Sequence, residues 1–398
     1  MASPETFKVM QALMQDGFEA RFVGGCVRDA LANRKVTDID IATVLTPDAV
    51  IKNLVKNEIA YAPTGLAHGT VTAIVDGRPF EITTLRIDVK SHGRHADVKF
   101  TDDWQADAAR RDFTINAMSA NMEGDVYDFF GGMEDLRLGR VVFVGDAAQR
   151  LAEDVLRILR FFRFHAHFGH GAPDRKALEA CVAAANQLPK LSPERIRQET
   201  LKLLEADNCA AVWRLMLELG VVTHFLPEAT NIEALQRLTL LEKEGEGGAF
   251  SLRRLAVLLD VTPSGLQHVA AALRLSGDQA RQILQMVTNK TGVAVGMEQD
   301  AVKRDVYALG NDAVRSLLLL DAARTNNTKG LRELCDLAAS FRPPRFPLTG
   351  DDAKRLGWKE GPDIGFVLKS MEAWWVDQTF RPTRTDCLEK MKAEFSPR

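Results

Sequence analysis

The chain has 398 residues, of which 46% are hydrophobic and 26% are charged, and its formal net charge is −3. This composition is typical of a globular protein, and the length predicts two or three domains of roughly 150 residues each. A slightly acidic chain is not suited to coating nucleic acids indiscriminately, although a local basic groove still permits RNA binding. The five cysteines are widely spaced and form no CxxC pair, so the sequence indicates neither a zinc site nor a disulfide framework.

The N-terminal segment, MASPETFKVMQALMQDG, has no basic region followed by an apolar core, so it is not a secretory signal. No apolar run approaches the roughly 20 residues that a membrane span requires. We therefore expect a cytoplasmic protein whose cysteines are thiols in a reducing compartment.

The first 145 residues combine strand patterns with helix patterns. Strands are predicted at 19–25, 37–43, 70–77, 78–86 and 124–132, the third and fourth being joined by a DG hairpin turn. Helices are predicted at 5–17, 47–57 and about 107–120. The mixture predicts an α/β head.

Beyond residue 145, segments with a period of 3.6 residues predominate and no strand is predicted. Turn-rich breaks are expected at 168–174, 244–248 and 341–350. We therefore expect the rest of the chain to be all-helical.

The segment FVGGCVRDALANRKVTDIDIAT (22–43) begins with a glycine pair between a strand and a helix. In such a turn the backbone amides of Gly24 and Gly25 can approach phosphate oxygens closely, next to the favourable end of the helix dipole. Arg28, on the first turn of that helix, can reach the same phosphates. A plain tight turn also explains a glycine pair taken alone.

Two acids follow in the same segment. On a strand, Asp38 and Asp40 point to one face, whereas Ile39 and Ile41 point into the core. Two like charges on one face are costly unless something neutralises them, and hard oxygen ligands suit Mg²⁺, which binds one or two carboxylates together with substrate phosphates. Glu81, on the predicted strand PFEITTLR, would complete a cluster of three carboxylates for two metal ions; a surface strand residue is the plainer alternative.

The segment RRDFTINAM (110–118) is predicted to be helical, with Phe113 and Ala117 facing the core. The guanidinium of Arg110 matches phosphate geometry, and Asp112 can accept hydrogen bonds from ribose hydroxyls. The plainer alternative is a solvated, charged helix face.

The segment LAEDVLRILRFFRFHAHF (151–168) is predicted to be one helix. Its expected buried stripe is Leu151, Val155, Ile158, Leu159 and Phe162. Arg157 has the right spacing for pairing with either Glu153 or Asp154, which is the plain interpretation. A sharper hypothesis is that an Asp–Arg pair reads a base edge.

In that hypothesis the carboxylate accepts from an exocyclic amine while the guanidinium donates to a ring acceptor. Cytosine and adenine both present this edge, whereas uracil and guanine present the reverse polarity. Each mismatch is expected to cost about 1–3 kcal/mol. One edge made of protein would then accept CTP and ATP and reject UTP and GTP.

Together these segments resemble the class II tRNA nucleotidyltransferases, the CCA-adding enzymes, which share a polymerase-β-like head with bacterial poly(A) polymerases. GGCVRD with DID is similar to the catalytic motif of that family, and RRDFTINA is similar to its motif for the sugar and phosphate of the nucleotide. YDFFGGMEDL (127–136), EDVLRILRFFRF (153–164) and LSPERIRQE (191–199) resemble the motif between head and neck, the nucleotide-selecting motif and the neck motif. The motifs stand in the family's order.

The resemblance implies an α+β fold. It implies a nucleotidyltransferase head with a mixed five-stranded sheet in residues 1–145, a helical neck in 146–206, and a helical, RNA-binding body and tail in 207–398. The implied reaction is template-independent addition of C and A, from CTP and ATP, to the 3′ end of tRNA with release of pyrophosphate. The implied cofactor is Mg²⁺, in a two-metal mechanism.

The resemblance also implies roles for individual residues. Asp38 and Asp40 would be catalytic and ligate the metal, with Glu81 as a third catalytic carboxylate. The implied nucleotide-binding residues are Gly24, Gly25, Arg28, Arg110, Asp112, Asn116, Glu153, Asp154, Arg157 and Arg160. Among them Asp154 and Arg157 would read the base while Glu153 orients Arg157. The segment 87–100 corresponds to a flexible loop that the family uses in changing from C to A addition.

Several alternatives stay open. A poly(A) polymerase carries the same head, but bacterial members usually carry a basic C-terminal extension, whereas this chain ends in MKAEFSPR. The motifs do not separate CCA-adding from A-adding or CC-adding enzymes. A catalytically inactive RNA-binding protein is less consistent with an intact Asp38–Asp40 pair, and an antibiotic-modifying transferase is less consistent with the long helical half.

Overall fold

The computed structural model describes residues 2–92, 95–245 and 247–394, without the side chains of 88–97. The chain divides into two compact units. The first consists of Met1–Pro227 and Ala272–Arg274, and the second of Glu228–Ala271 and Leu275–Arg398. The predicted boundaries at 145 and 206 stay predictions.

In its described residues the first unit contains nine strands. They are β1 (Ala20–Val23), β2 (Asp40–Thr43), β3 (Ala60–Gly65), β4 (Thr70–Val75), β5 (Arg78–Thr84), β6 (Arg86–His92), β7 (His95–Phe100), β8 (Ser119–Ala120) and β9 (Val126–Tyr127). Seven of them form one sheet in the order β3-β4-β5-β2-β1-β8-β9, and β6 pairs with β7 in a separate hairpin. The large sheet is mixed: β2 and β5 run parallel to each other, whereas the other neighbouring strands in the sheet pair in antiparallel fashion.

The helices of the first unit lie between and after these strands. They are α1 (Pro4–Met14), α2 (Gly25–Leu31), α3 (Pro47–Lys56), α4 (Trp104–Ala109), α5 (Gly132–Arg137), α6 (Ala147–Glu153), α7 (Arg157–Phe168), α8 (Arg175–Ala184), α9 (Pro193–Leu204) and α10 (Cys209–Glu218). Short 3₁₀ turns occur at 15–17, 66–68, 114–116, 185–190 and 222–224.

The second unit is helical in its described residues. Its helices are α11 (Ile232–Lys243), α12 (Ser251–Leu258), α13 (Pro263–Ala272), α14 (Gly277–Thr288), α15 (Gln299–Leu309), α16 (Asn311–Thr325), α17 (Leu331–Ser340), α18 (Gly350–Arg355), α19 (Pro362–Asp377) and α20 (Arg384–Glu394). The predicted absence of strands after residue 145 is confirmed for the part of the chain that the structure describes. None of the described helices combines the length and the apolar composition that a bilayer crossing needs.

Alternation of side chains along the central strands decides which face of the sheet is buried. Along β5, Phe80 and Ile82 are buried whereas Glu81 is exposed, as the period of two requires. The buried face packs against α1 and α3 through residues such as Leu13 and Leu54. This packing leaves polar side chains of β2 and β5 on the opposite face.

The predicted five-stranded sheet is wrong in its strand count, because the sheet has seven strands. The missed edge strand β3 has no buried residue, contains Pro63 and carries a register shift, so it shows neither alternation nor strand-forming composition. At the other edge, β8 and β9 have two residues each, which is too short for a periodic signal. The predicted strand 124–132 is reduced to β9.

The segment 87–100, which we expected to be an irregular loop, has regular structure in its described part, and its predicted flexibility stays a prediction. These residues belong to β6 and β7, which pair as an antiparallel hairpin from Arg86 opposite Phe100 to His92 opposite His95. Gly93, on which the expectation of mobility rested, lies outside the described residues.

In the second unit a buried carboxylate holds two arginines of the next helix. Oε1 of Glu242, on α11, accepts from Nε and Nη2 of Arg253 at 3.0 and 2.6 Å. Its Oε2 accepts from Nε of Arg254 at 2.6 Å. The side chains of all three residues are at most 5% exposed, so the pairs are shielded from water.

We expect the substitution Glu242→Gln to lower the free energy of unfolding of α11 and α12 by about 3–5 kcal/mol, because two arginines lose a buried counter-charge. Peptide-resolved hydrogen exchange measures this in the amides of the two helices. The matched control is Glu244→Gln, an exposed position just past α11, with an expected change within about 0.5 kcal/mol. Equal protection in both variants would contradict the prediction.

Candidate active site

A cleft of about 610 Å³ opens in the first unit. Ten of the thirteen predicted site residues line it: Gly24, Gly25, Arg28, Asp40, Arg110, Asp112, Asn116, Asp154, Arg157 and Arg160. Three predicted residues do not line it: Asp38, Glu81 and Glu153. The lining also includes six residues that were not predicted as site residues: Arg111, Leu156, Arg163, Phe164, Arg195 and Lys202.

The lining of the cleft is strongly basic. It carries eight Lys and Arg side chains but only three carboxylates, those of Asp40, Asp112 and Asp154. The chain as a whole has a net charge of −3, so the positive charge is concentrated here. Such a concave, cationic surface suits a polyanionic ligand.

The glycine turn at the edge of the cleft requires glycine for two reasons. Gly24 has φ +71° and ψ −125°, a conformation that residues with a side chain rarely adopt. A Cβ atom there would also lie 2.8 Å from Nη1 of Arg111. The turn is fixed by the amide of Gly24, which donates to the carbonyl of Met118 on the way into β8 at 3.2 Å.

A continuous set of hydrogen bonds crosses the floor of the cleft. Arg28 donates from Nη1 to Oδ1 of Asn116 at 2.6 Å, and its other donors hold Asp29. Asn116 in turn donates from Nδ2 to Oδ1 of Asp112 at 3.0 Å. Oδ2 of Asp112 accepts from Nε of Arg160 at 2.7 Å. Arg28, Asn116, Asp112 and Arg160 therefore form one connected network.

Burial by itself raises the pKa of the Asp112 carboxyl, which is 8% exposed. The charge of Arg160 and the hydrogen bonds from Asn116, Arg160 and the amide of Phe113 outweigh this, so the pKa lies below its ordinary value of 3.8. Asp112 is thus held as a carboxylate at neutral pH.

The predicted helix 107–120 is wrong. Helix α4 ends at Ala109, and a 3₁₀ turn follows at 114–116. The cause is local: Oδ1 of Asp112 accepts from the amide of Phe113 at 2.9 Å, a side-chain bond that competes with the helical pattern. The backbone of Phe113 is extended and forms an isolated antiparallel β-bridge with Phe143. Phe113 and Ala117 are nevertheless buried, as predicted.

Asp107, on α4, holds the two arginines that follow it. It accepts from Nε of Arg110 at 2.9 Å and from Nη2 of Arg111 at 3.3 Å. Burial raises the pKa of Asp107, but the two guanidinium groups outweigh burial and lower it overall. The sequence showed the spacing of these residues, yet this carboxylate was not recognised as a support of the site.

The predicted single helix 151–168 is broken. Helix α6 ends at Glu153, Asp154 is extended with φ −152° and ψ 107°, and α7 begins at Arg157. Oδ1 of Asp154 accepts from the amide of Leu156 at 3.1 Å, which stabilises the break. Because of the break, Leu156 is buried at 7% exposure while Val155 is only half-buried, contrary to the predicted stripe.

The two acids at this break have different partners. Glu153 lies 2.5 Å from Nη1 of Arg157, so the predicted spacing for that pair produces a real contact. Asp154 instead accepts from Nη2 of Arg195, on α9, at 2.7 Å. The spacing along the sequence therefore predicted the Glu153–Arg157 pair correctly. It did not predict that Asp154 pairs with Arg195, which is 41 residues away.

The acidic residues near β2 are arranged differently from the prediction. The strand begins at Asp40, so Asp38 precedes it and is exposed, and the argument that both lie on one strand face is wrong for Asp38. Asp40 stands opposite Glu81 in the parallel register of β2 and β5. Burial, followed by the charge of Glu81, raises the pKa of Asp40; Arg111 opposes this and Asp38 adds to it.

Within the described residues, no group of three or more His, Cys, Asp or Glu side chains is arranged as a metal site. Asp40 and Glu81 occupy paired positions of neighbouring strands, and the charge of Asp38 acts on Asp40. The carboxylates of these residues are hard oxygen donors of the kind that divalent cations bind.

Four residues of α7 and α9 were missed as site residues: Arg163, Arg195, Glu199 and Lys202. Glu199 is 6% exposed and accepts from Nε of Arg163 at 2.6 Å, and it lies 3.8 Å from Nη1 of Arg160. The motif LSPERIRQE was recognised in the sequence, but its partners on α7 become visible only after α9 packs against that helix.

Comparisons with known proteins agree with this geometry. Residues 20–142 match the family model described as the Poly A polymerase head domain, and residues 172–233 match the one described as the probable RNA and SrmB-binding site of polymerase A. The mitochondrial CCA tRNA nucleotidyltransferase 1 of Mus musculus is 32% identical over 382 residues, covering 95% of this chain and 87% of that protein. The chain belongs to the family of CCA-adding tRNA nucleotidyltransferases.

Bacterial members of the CCA-adding family are equally similar. The CCA-adding enzyme of Bacillus cytotoxicus is 37% identical over 383 residues, covering 92% of this chain and 91% of that protein. The crystal structure of the Bacillus stearothermophilus CCA-adding enzyme in complex with CTP has a TM-score of 0.76 at 28% identity and covers 94% of each chain. The resemblance inferred from the motifs is confirmed, and enzymes of this family generally use divalent metal ions.

The lowered pKa of Asp112 predicts a pH-dependent contribution to stability. At neutral pH we expect Asp112→Asn to lower the free energy of unfolding by about 1.5–3 kcal/mol, since it removes charged hydrogen bonds. The folded pKa lies below the unfolded one, so this contribution is complete above the unfolded pKa and disappears as the pH falls through the folded value.

Urea denaturation of the wild type and of Asp112→Asn, at a series of pH values from neutral to acidic, measures this difference. The two stabilities should converge toward acidic pH. A gap that stayed constant across the series would contradict the assignment of Asp112 as a stabilised carboxylate.

Proposed function

We propose that this chain is a template-independent RNA nucleotidyltransferase that adds C and A, from CTP and ATP, to the 3′ end of tRNA and releases pyrophosphate. The observation that carries the proposal is one cleft whose cationic lining includes Asp40 as well as Asp154 and Arg157. The names of the relatives, and the CTP complex of a structural neighbour, support it.

In this proposal the triphosphate lies along the cationic lining. Gly24 and Gly25 let the backbone approach the phosphates closely, and Arg28, Arg110 and Arg160 supply charge. Each of these arginines is already held by a carboxylate, respectively Asp29, Asp107 and Asp112. The guanidinium groups are therefore oriented before the ligand binds, which lowers the entropic cost of binding.

The base edge is proposed to be read by Asp154 and Arg157. The side-chain hydrogen bonds of Arg157 to described residues run through Nη1, to Glu153 and to the carbonyl of Arg150. Its Nε and Nη2 hydrogens then serve a ring acceptor of the base. Asp154 uses one lone pair on each oxygen, and since a carboxylate has about four such sites, it can still accept from an exocyclic amine.

We propose Mg²⁺ as the divalent ion, with Asp38 and Asp40 as its protein ligands and Glu81 as a third acid nearby. The donor set fits, because Mg²⁺ binds through one or two carboxylates and substrate phosphates complete its shell. When bound, the ion supplies Lewis-acid activation of the RNA 3′-hydroxyl and charge neutralisation of the departing pyrophosphate. The chain's own arginines stabilise the charge that develops on the phosphates.

The helical residues 207–398 are proposed to bind the body of the tRNA, and 146–206 to form the neck. The match of residues 172–233 to a probable RNA-binding model supports a nucleic-acid role for residues that follow the head in sequence. We place the activity in the cytoplasm, where reducing conditions suit five buried thiols.

A second candidate is a poly(A) polymerase, since the head model is described by that name. A-adding and CC-adding enzymes of the same family are further possibilities. The relatives that span most of the chain are named as CCA enzymes, which favours the first proposal.

We expect the protein to complete tRNA that lacks its 3′ end when CTP, ATP and Mg²⁺ are present, and sequencing of the product ends measures this. A terminal CCA supports the proposal. A long A tail would mean a poly(A) polymerase, and A added only to a CC end would mean an A-adding enzyme. Chelation of the metal should stop incorporation.

A matched pair of variants tests the metal-binding acids in the same assay. Asp40→Asn should lower kcat at least about a hundredfold, because the metal contributes several kcal/mol to transition-state stabilisation. Asp48→Asn, at an exposed position in the first turn of α3, removes one negative charge elsewhere and should keep the wild-type rate. Normal incorporation by Asp40→Asn would rule out the proposed metal site.

The base-reading proposal has its own variant. Arg157→Ala should retain some turnover but lose the preference for C and A over U and G, because the ring acceptor loses its donor. Each mismatch is worth about 1–3 kcal/mol, or roughly 5- to 150-fold in kcat/KM. The measurement is kcat/KM for each of the four nucleotides with one tRNA, and an unchanged preference would rule out the role of Arg157.

A further inference from the structure

The carboxylate of Asp154 is oriented by two hydrogen bonds and not by a regular helix. Asp154 lies in the extended break between α6 and α7, where no helical backbone sets the direction of its side chain. Its Oδ1 is held by the amide of Leu156 at 3.1 Å, and its Oδ2 by Nη2 of Arg195 at 2.7 Å. Arg195 therefore decides where the second oxygen points.

Asp154 and Arg157 have different charge partners in the structure. The two residues are three positions apart, a spacing at which opposite charges pair when both lie on one helix, but Asp154 lies outside α7. In the structure each has a separate counter-charge, since Arg157 pairs with Glu153 at 2.5 Å and Asp154 pairs with Arg195. This separation keeps an acceptor and a donor available side by side, whereas a direct pair would occupy both groups.

The position of Arg195 is set by its helix, α9, which packs against α7. Arg195 lies on α9, four residues before Glu199 and hence on the same face. Glu199 is bonded to Arg163 of α7 at 2.6 Å, with the two side chains 8% and 14% exposed. A buried ion pair thus fixes α9 against α7 one turn from Arg195.

The Asp154–Arg195 contact is sheltered enough to act as a restraint. The two side chains are 20% and 16% exposed, so solvent screens them less than it screens a surface pair. Without Arg195, electrostatic attraction would favour rotation of the Asp154 carboxylate toward Arg157.

We propose that Arg195 is a positioning residue for base selection: by holding Oδ2 of Asp154 it keeps the carboxylate and Arg157 apart, so that both can read the edge of cytosine or adenine. The inference rests on the proposed function and deepens it. Arg195 also lines the cleft, so the alternative is that it contacts the nucleotide phosphates directly.

A double-mutant cycle separates the two roles. Using tRNA lacking its 3′ end, Mg²⁺ and single nucleotides, kcat and KM for CTP and UTP are measured for the wild type, Arg195→Ala, Asp154→Ala and the double variant. We expect Arg195→Ala to lower the CTP-to-UTP ratio of kcat/KM about tenfold. In the Asp154→Ala background the same substitution should cause no further loss of that ratio.

Two more variants serve as controls. Arg195→Lys keeps a charge that can hold Asp154 and should recover part of the ratio. Lys202→Ala removes one positive charge from the same helix and the same cleft, and should weaken CTP and UTP incorporation alike, without changing their ratio. If Arg195→Ala does not fold, as judged by circular dichroism, Arg195→Gln replaces it in the cycle.

Two results overturn the inference: a CTP-to-UTP ratio that Arg195→Ala leaves unchanged, or a loss that is equally large with and without Asp154. Either result leaves the proposed function intact as long as the wild type adds C and A. Failure of the wild type to add either nucleotide would instead reject the proposed function.

Discussion

The carboxylate of Asp112 joins the separate elements that build the cleft. Its two oxygens accept from the amide of Phe113, from Asn116 and from Arg160, and through Asn116 it also fixes Arg28 on the helix after the glycine turn. A buried carboxylate without these donors would be strongly destabilising. The donors must therefore stay in place, and the glycine turn, the segment after α4 and helix α7 are held together as one site.

The same principle recurs around the cleft, where supporting carboxylates hold its arginines. Asp107 holds Arg110 and Arg111, Glu199 holds Arg163, and Glu153 holds Arg157. These acids restrict the rotation of the guanidinium groups without cancelling the excess of positive charge in the lining. Donors that are oriented in advance stabilise developing charge with little reorganisation, which is how electrostatic catalysis is most effective.

The sheet contributes the acidic side of the site through its register. Because β2 runs parallel to β5 and pairs Asp40 with Glu81, alternation places both carboxylates on the face opposite the packed core of α1 and α3. Burial, followed by the charge of Glu81, raises the pKa of Asp40, and a divalent cation would relieve the repulsion between these acids. The proposed metal site thus depends on a strand pairing between segments that are 41 residues apart in sequence.

The sequence by itself determined the helical second half, the central strands, the family and ten residues of the cleft, because periodicity and motif spacing are local properties. It did not reveal the edge strand β3 or the two-residue strand β8, which carry no periodic signal, and it made β9 too long. Nor did it reveal the break at Asp154, where a side chain replaces a helical bond. Only the tertiary structure decided that Asp154 pairs with Arg195 and that Glu199 supports Arg163. Such partners are set by the packing of α9 on α7, and packing between distant segments leaves no pattern in the order of residues.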